Sequence, residues 1–270
     1  MKTLCFISSL RPQRASANWR QVCELFERTA LSVFNQTNPN FRFVVACHEP
    51  PILNRSFDER LEFITLDLPI PDATYATRDL DKRHKLMAAL RRARELGADY
   101  VMSLDADDLV SNRLVDFVVS QPWADGWYVT RGYKYVYGSR WIEPSHAGFN
   151  LMCGSCNILS RRFFAFPSDP EREREVDRIW FIGGHAAFAE LFSAKGANLQ
   201  SIPFSAVTYV SHEGERMRDL NPQNARVRQD RRWLRRFAGW MLLKAHGVSG
   251  MRQLTADIRD EFAIGGGLAH

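Results

Sequence analysis

The chain has 270 residues, 45% of them hydrophobic and 25% charged, a composition typical of a globular protein with a sizeable core. The net charge is +5, and residues 226–236 alone, with six arginines and one aspartate, carry a surplus of that size. A general nucleic-acid binder would spread basic residues over its main fold, so we expect no nucleic-acid partner. Five cysteines without regular spacing argue against a disulfide framework, and no apolar run approaches a membrane span, so the sequence predicts a cytoplasmic protein.

Strands and helices alternate over the first half of the chain. The patterns predict a strand at 3–9, a helix at 18–36, strands at 41–47 and 61–66, a helix at 79–96, a strand at 100–104 and a short helix around 113–120. Gly97 is a natural left-handed stop for the second long helix. This βαβ alternation predicts an α/β fold with a mainly parallel sheet and helices on both faces. Ligands of such sheets bind beyond the carboxyl ends of the strands.

The second half of the chain changes character. Segments 127–136 and 140–142 are typical of antiparallel strands around a Gly138-Ser139 turn, and a strand begins at Asn157. A helix is expected at 185–195, followed by strands at 199–202 and 207–210. We expect one domain over 1–213 and a C-terminal extension over 214–270. Within the extension, 224–246 predicts a basic amphipathic helix that either lies on an anionic membrane surface or packs on the main domain.

The run Tyr100-Val-Met-Ser-Leu-Asp-Ala-Asp-Asp108 is an apolar strand that ends in three carboxylates. Because strand side chains alternate faces, Asp105 and Asp107 can project from the strand end toward one side. Two converging carboxylates form a hard-oxygen site suited to Mn²⁺ or Mg²⁺, which completes its shell with substrate phosphates. The alternative is a solvated acidic turn in which Asp108 helps to cap the following helix.

Three stretches resemble glycosyltransferases of the GT-A fold, of the broad family-2 type. Leu31–Val45 is similar to the first helix and second strand of that family, and Asp99–Asp108 is similar to its DxD strand and turn. The third stretch, 185–196 with the strand ending at His212, is similar to its acceptor-side helix and late histidine. The similarity runs in order over about residues 3–213. It implies a GT-A, Rossmann-like mixed sheet and transfer of a sugar from a nucleotide-diphosphate-sugar donor to a glycan or lipid-linked acceptor.

The resemblance also implies roles for individual residues. Asp105 would lie near the ribose or sugar of the donor, Asp107 would hold a Mn²⁺ or Mg²⁺ ion on the diphosphate, and His212 would be a further ligand or a diphosphate contact. Such a metal neutralises the charge that develops on the departing nucleoside diphosphate. The family-2 acidic residue after the second strand is replaced here by the run Ala46-Cys-His-Glu49-Pro50. Glu49 is the substitute that we consider, and the nucleotide stays open.

The position of the usual acidic base is taken by His185, eleven residues before Gly196. An imidazole can remove the acceptor's proton because its ordinary pKa lies near neutral pH. Alternatively, His185 binds the acceptor or the diphosphate while Glu190 or Asp177 is the base. If one of these residues acts as the base, the expected outcome is inversion at the anomeric carbon of the transferred sugar.

Two further clusters carry charge or thiols. Arg78 and the 81–85 cluster, including Lys85, open the predicted 79–96 helix, where cations oppose the helix dipole. A donor diphosphate would compensate, so Arg78 and Lys85 are candidate phosphate contacts; the alternative is a solvated helix start. For Cys153-Gly-Ser-Cys156 we expect neither zinc nor redox chemistry, because a second ligand pair is missing and a strand follows. Arg161 and Arg162 are weak acceptor candidates.

Two other function classes stay open. A phosphatase of the haloacid-dehalogenase type also uses Asp-x-Asp after a strand, although its nucleophile normally ends the first core strand. A non-catalytic module that binds nucleotide or glycan is the second alternative, because His185 departs from the acidic base of the resembled family.

Overall fold

The computed structural model describes residues 1–164, 170–182, 184–212 and 250–265. Among these residues, strands form two sheets, one of seven strands in the order β10-β6-β9-β4-β1-β2-β3 and one of five in the order β12-β8-β7-β11-β5. The strands are β1 (Leu4–Ser9), β2 (Phe41–Cys47), β3 (Leu61–Thr65), β4 (Tyr100–Ser103), β5 (Leu109–Val110), β6 (Gly126–Tyr128), β7 (Gly132–Val136), β8 (Trp141–Ser145), β9 (Asn157–Ser160), β10 (Leu199–Ser201), β11 (Val207–Ser211) and β12 (Arg252–Gln253).

Most of the described helices pack against the larger sheet, and the last one packs against the smaller sheet. They are α1 (Trp19–Phe34), α2 (Tyr75–Glu95), α3 (Leu114–Ser120), α4 (Pro170–Val176) with a π-helical turn at Asp177–Ile182, α5 (Gly184–Ser193) and α6 (Ala256–Glu261). Strands β3, β2, β1 and β4 pair in parallel, and β9 pairs antiparallel with both β4 and β6. The prediction of an α/β fold with a mixed sheet flanked by helices is therefore confirmed.

Alternating residues of β1 face two different helical layers. Leu4 and Phe6 pack with residues of α1 and α3, whereas Cys5 and Ile7 pack with residues of α2 and α5. All four side chains are fully buried, as the apolar run of this strand predicts. Among β4, β1 and β2, β1 is the central strand: β2 pairs with one of its edges and β4 with the other. A crevice beyond the carboxyl ends of β1 and β4 is the expected ligand position in such a sheet.

The segment predicted as one strand at 127–136 is divided between the two sheets. β6 belongs to the larger sheet and β7 to the smaller one, so the prediction of a single strand was wrong. The reason is local packing at Gly132, where an added Cβ would lie 2.6 Å from the Phe149 ring and from the Val207 carbonyl oxygen. Only a residue without a side chain allows β7 to approach β11 and Phe149 this closely. The predicted antiparallel pairing around Gly138 is confirmed for β7 and β8.

Helix α2 begins one turn earlier than the apolar spacing indicated. Thr74 is the N-cap, and its side-chain oxygen accepts a hydrogen bond from the Thr77 N–H at 3.3 Å. Arg78 therefore lies in the first turn, and Lys82 and Lys85 lie in the second and third. The expectation that the whole 78–85 cluster opposes the dipole was wrong, because the dipole acts mainly within the first turn.

Residues 250–265 return to the smaller sheet. β12 pairs antiparallel with β8, and Ile258 and Phe262 pack with Tyr135, Ile142 and Val210. The predicted basic helix at 224–246 lies outside the described residues, and the boundary after residue 213 stays a prediction. Within the described ranges, no helix combines the length and the apolar composition needed to cross a membrane.

Candidate functional site

A cavity of about 720 Å³ opens beyond the carboxyl ends of β1 and β4. Its walls include the end of β1 and the residues after it, residues 105–107 of the acidic turn, the first three turns of α2, the π-helical turn with the start of α5, and the end of β11. Five of the predicted site residues line it: Arg78, Asp105, Asp107, His185 and His212. Residues more than a hundred positions apart in the chain thus meet at one edge of the sheet.

Asp105 is the first residue after β4 to point into this cavity, and it forms an ion pair there. Its Oδ1 accepts a hydrogen bond from Lys82 Nζ at 2.6 Å, and its backbone N–H donates to Ser155 Oγ at 2.9 Å. Burial alone would raise the pKa of Asp105, but the charge and hydrogen bond of Lys82, with a smaller effect of His185, lower it below the ordinary value. Asp105 is therefore ionised at neutral pH.

Asp107 lies next to His212. Its Oδ2 is 3.1 Å from His212 Nε2, and the two side chains are 38% and 12% exposed. The turn that carries Asp107 is closed by a hydrogen bond from the Asp108 N–H to the Asp105 carbonyl oxygen at 3.1 Å. β11 supplies His212 directly after its last residue, Ser211, so strand pairing in the smaller sheet positions this imidazole.

Asp108 points away from the cavity into the protein core. One carboxylate oxygen accepts hydrogen bonds from Ser155 Oγ at 2.6 Å and Cys153 Sγ at 3.2 Å, and the other accepts from the Val210 N–H at 3.1 Å. Burial, and then the neighbouring charges of Asp107 and Asp105, raise the pKa of this carboxyl group well above its usual value. Asp108 thus links the acidic turn to β11 and to the segment at 153–156.

The Cys153–Cys156 loop supports the acidic turn from behind. Ser155 Oγ accepts from the Asp105 N–H and donates to Asp108, so one hydroxyl group joins both ends of the turn. Gly154 lies so close that an added Cβ would be 2.8 Å from Asp105 Oδ2. Both thiols are fully buried, and burial raises the pKa of Cys153 and of Cys156. Sequence reasoning missed this structural role; the small residues Gly154 and Ser155 were the only signal for it.

The cations of α2 divide into two groups. Arg78 and Lys82, one helical turn apart, line the cavity, and the Arg78 Nε–H also donates to the Asp72 carbonyl at 3.3 Å. Lys85 is fully buried and is not among the lining residues; its Nζ donates to the Leu10 carbonyl and to Asp81, both at 2.8 Å. Burial lowers the pKa of Lys85 despite Asp81. The structure therefore uses Lys85 to attach α2 to the end of β1 and brings Lys82, which was not singled out, to the acidic turn.

His185 lies in the first turn of α5 and faces the cavity. Burial has the largest effect and lowers the pKa of His185 below the ordinary histidine value. The charge of Asp105 raises this pKa, the charge of Lys82 lowers it, and a hydrogen bond with the Leu151 backbone raises it, but the net effect is a lowering. The net lowering means that the imidazole is mostly neutral at neutral pH. A neutral imidazole that uses its N–H toward a carbonyl has its second nitrogen available as a proton acceptor.

The other candidates lie outside the cavity lining. Glu49 follows β2 and accepts a hydrogen bond from the Gln13 N–H. Asp177 is 3.8 Å from Arg83 Nη1, and Glu190 is exposed on α5. Arg161 and Arg162 pair with Asp99 and Asp125. Because β9 is antiparallel to β4, these two arginines lie at the amino end of β4, at the edge of the sheet opposite the cavity.

The donor set next to the acidic turn fits a divalent ion in part. Within the ranges that the structure describes, no three His, Cys, Asp or Glu side chains cluster as a ligand set. Asp107 and His212 meet at the cavity wall as a hydrogen-bonded pair, with His212 Nε2 and Asp107 Oδ2 3.1 Å apart. Adjacent ligands of an octahedral ion with bonds of about 2.1 Å lie about 3.0 Å apart, and Mg²⁺ sites commonly use one or two protein ligands plus waters and phosphates. The pair therefore suits Mg²⁺ or Mn²⁺ that is completed by a phosphorylated ligand.

Comparison with known proteins gives structural matches only. No protein-family model matches the sequence, and no curated protein matches it. The S. aureus TarS 1–349 structure aligns over 78% of this chain and 60% of its own, with 10% identity and a TM-score of 0.40, so the chain spans less than two thirds of it. Rv0371c of Mycobacterium tuberculosis H37Rv aligns over 78% and 89%, with 9% identity and a TM-score of 0.39.

A third match is a proposed nucleotide-diphospho-sugar transferase from Desulfovibrio desulfuricans G20. It aligns over 78% of this chain and 82% of its own, with 8% identity and a TM-score of 0.37. Identities and TM-scores of this size describe similarity and assign no activity.

Proposed function

We propose that the chain is a metal-dependent glycosyltransferase that moves a sugar from a nucleotide-diphosphate-sugar donor to an acceptor hydroxyl group in polysaccharide or glycoconjugate synthesis. The observation that carries the proposal is the convergence in one cavity of the Asp107–His212 pair, the cations Arg78 and Lys82, and His185. Metal ligands and fixed cations suit a diphosphate, and a neutral imidazole across the same cavity suits removal of a proton.

The donor diphosphate would bind between α2 and the acidic turn. Arg78 and Lys82 offer N–H donors to phosphate oxygens, and the Asp107 carboxylate and the His212 imidazole would hold the ion. When bound, a Mn²⁺ or Mg²⁺ ion supplies positive charge against the nucleoside diphosphate that leaves. Asp105 would lie near the ribose or sugar and restrain Lys82.

His185 would be the base in this reaction. A bond forms between the acceptor oxygen and the anomeric carbon of the sugar, the bond from that carbon to the diphosphate oxygen breaks, and the acceptor's proton passes to the free imidazole nitrogen. Attack opposite the leaving group gives inversion, which is the outcome that a single base of this kind favours. Asp177 pairs with Arg83 and Glu190 is exposed, and both are outside the cavity lining, so they are weaker candidates for the base.

The acceptor side of the cavity is apolar. Trp180 and Phe181 stack with ring centroids 5.4 Å apart and line the wall next to His185. A glycan ring or the first part of a lipid-linked glycan can pack on such a surface. If the acceptor is lipid-linked, segment 224–246 would bring the enzyme to the cytoplasmic face of a membrane through its basic and aromatic residues.

The phosphatase alternative fits the site less well. A haloacid-dehalogenase nucleophile normally ends the first core strand, and β1 ends here in Ser8 and Ser9. The acidic turn follows β4 instead. A purely binding module stays open as the second candidate, because His185 replaces an acidic base.

A binding screen followed by a turnover assay tests the proposal. Thermal-shift measurements on the full chain would use nucleoside diphosphates and nucleotide sugars, with and without Mn²⁺, and we expect at least one to raise the melting temperature. Slow release of nucleoside diphosphate from the selected donor in Mn²⁺, lost in Asp107→Ala, would separate an enzyme from a binding module. Release of inorganic phosphate from generic phosphomonoesters without any donor binding would favour the phosphatase.

A further inference from the structure

We propose that Lys82 is a resident cation of the donor site, whose ammonium group binds a diphosphate oxygen beside the divalent ion. As a consequence, nucleoside diphosphates bind even when no metal is present. This inference rests on the proposed function and deepens it, because it assigns a second source of positive charge to the same site.

The position of Lys82 supports this role. Its Nζ is 2.6 Å from Asp105 Oδ1, and its side chain is 35% exposed where it lines the cavity. An ammonium group has three N–H donors, and the hydrogen bond to Asp105 uses one of them. Asp105 thus holds the long lysine side chain in place, which reduces the rotamer entropy lost when a phosphate binds.

Lys82 keeps its charge in this position. Burial opposes that charge, but the Asp105 carboxylate, its hydrogen bond, and then Asp107 and Asp108 raise the pKa of Lys82 above the ordinary lysine value. A lysine that is this strongly favoured in its protonated form stays cationic across the physiological pH range. It therefore acts on phosphates as a fixed charge.

The balance of charge around the cavity points the same way. Four acidic residues line it, Asp79, Asp81, Asp105 and Asp107, and four basic ones do so as well, Arg11, Arg78, Lys82 and Arg83. A cavity that relied on a metal alone to neutralise a diphosphate would be expected to be acidic when empty, since acidic ligands attract the ion. Here cationic side chains already balance the carboxylates, so the cavity can accept an anion without a prior metal.

Lys85 shows that a lysine on this helix need not have such a role. It lies one turn after Lys82 but is fully buried, bonded to the Leu10 carbonyl and Asp81. Lys82 is the lysine that the helix presents to the acidic turn. A purely structural Lys82 would serve only to neutralise Asp105. In that case Lys82→Met would bind nucleoside diphosphate without metal as tightly as the native chain does.

The test is calorimetric titration of the full chain with the nucleoside diphosphate that gives the largest thermal shift, once in EDTA and once in Mn²⁺. Inorganic pyrophosphate is titrated in parallel, because it carries the phosphates without the nucleoside. The variants are Lys82→Met, which keeps the chain length, and Lys82→Arg, which keeps the charge. Lys2→Met is the matched control, since Lys2 precedes β1 at the opposite edge of the sheet.

We expect the native chain to bind the diphosphate in EDTA with an affinity within about tenfold of that in Mn²⁺. Lys82→Met should weaken binding in EDTA by about 10- to 100-fold, the range of a charge-assisted hydrogen bond, for both the nucleoside diphosphate and pyrophosphate. Lys82→Arg should retain most of the affinity, and Lys2→Met all of it.

Several results would overturn the inference. Binding in Mn²⁺ that disappears completely in EDTA would reject a resident cation and leave the proposed function intact. Equal metal-free affinity of Lys82→Met and the native chain would do the same. Absence of binding under both conditions would reject the proposed function together with the inference. If Lys82→Met does not fold, the double variant Lys82→Met/Asp105→Asn removes both charges; its metal-free affinity for pyrophosphate, which has no ribose or sugar for Asp105 to contact, is then compared with that of Asp105→Asn.

Discussion

Asp107 and Asp108 are neighbours in the chain, but one carboxylate lies in the cavity and the other lies in the core. Asp107 is 38% exposed beside His212, whereas Asp108 is fully buried and accepts three hydrogen bonds from Ser155, Cys153 and Val210. The difference follows from the turn that directs successive side chains to opposite sides. We infer that the cavity side of the acidic turn determines chemistry and that its core side determines stability.

The largest expected effect concerns His185, which faces the cavity side of the turn. If it is the base, His185→Ala should lower nucleoside diphosphate release by about 10²- to 10⁴-fold, the usual contribution of a positioned base, with little change in melting temperature. Because burial lowers the pKa of His185, the neutral form persists to lower pH. The acid limb of the native rate profile should therefore lie below the ordinary histidine value of about 6.5.

Initial rates between about pH 4.5 and 8 check this expectation. His146→Ala is the matched control, because His146 is exposed, and it should leave the profile unchanged. An acid limb that persists in His185→Ala would assign the titration to another group and would remove His185 from the base role.

The next largest effect should come from Asp107. Asp107→Ala removes one of the two predicted metal ligands and should lower Mn²⁺-supported turnover by about 10²- to 10³-fold, comparable to the loss of one electrostatic contact in an active site. Because this side chain is partly exposed, chemical denaturation should show a change in unfolding free energy of less than about 1 kcal/mol. Asp116→Ala, at an exposed position on α3, is the control for removing a carboxylate.

Asp108 should show the opposite pattern. Asp108→Ala leaves the buried Val210 N–H and the Ser155 hydroxyl without their acceptor, and we expect the free energy of unfolding to fall by about 2–4 kcal/mol. Denaturant titrations of Asp108→Ala and Asp107→Ala, measured side by side, give the comparison directly. Equal destabilisation by the two variants would contradict the division of the turn into a chemical and a structural side.

Much of the fold could be predicted from hydrophobic periodicity. β2 was predicted with the bounds it has, and α1 follows its N-cap Asn18, whose side chain accepts from the Gln21 N–H at 3.1 Å. The division of 127–136 between two sheets could not be predicted, since it depends on Phe149 and Val207 packing against Gly132. Contacts between distant segments leave no periodic signal in either of them.

The site shows the same limit at the level of single residues. The strand pattern predicted Asp105 and Asp107 at the carboxyl edge of the sheet, and the family resemblance predicted His185 and His212 as site residues; the structure brings all four to one cavity. The sequence could not distinguish Lys82 from Lys85, because residues three apart on a helix lie on the same face, about 60° apart, and the helical pattern alone does not show which of them meets the acidic turn. Nor could it show that Ser155, some fifty residues later, accepts from the Asp105 N–H.

The smallest expected effect comes from Gly154, which couples the Cys153–Cys156 loop to the cavity side of the turn. In Gly154→Ala the new Cβ would lie 2.8 Å from Asp105 Oδ2, so the carboxylate must move while Lys82 still holds its other oxygen. We expect about a tenfold loss of turnover, as for other residues that position a site, with a loss of stability below about 1 kcal/mol. Gly250→Ala is the control, because a Cβ there meets no atom of the described residues within 4 Å. If Gly154→Ala changes stability and not turnover, the loop acts only on the core side, and the position of the Asp105 carboxylate does not limit the reaction.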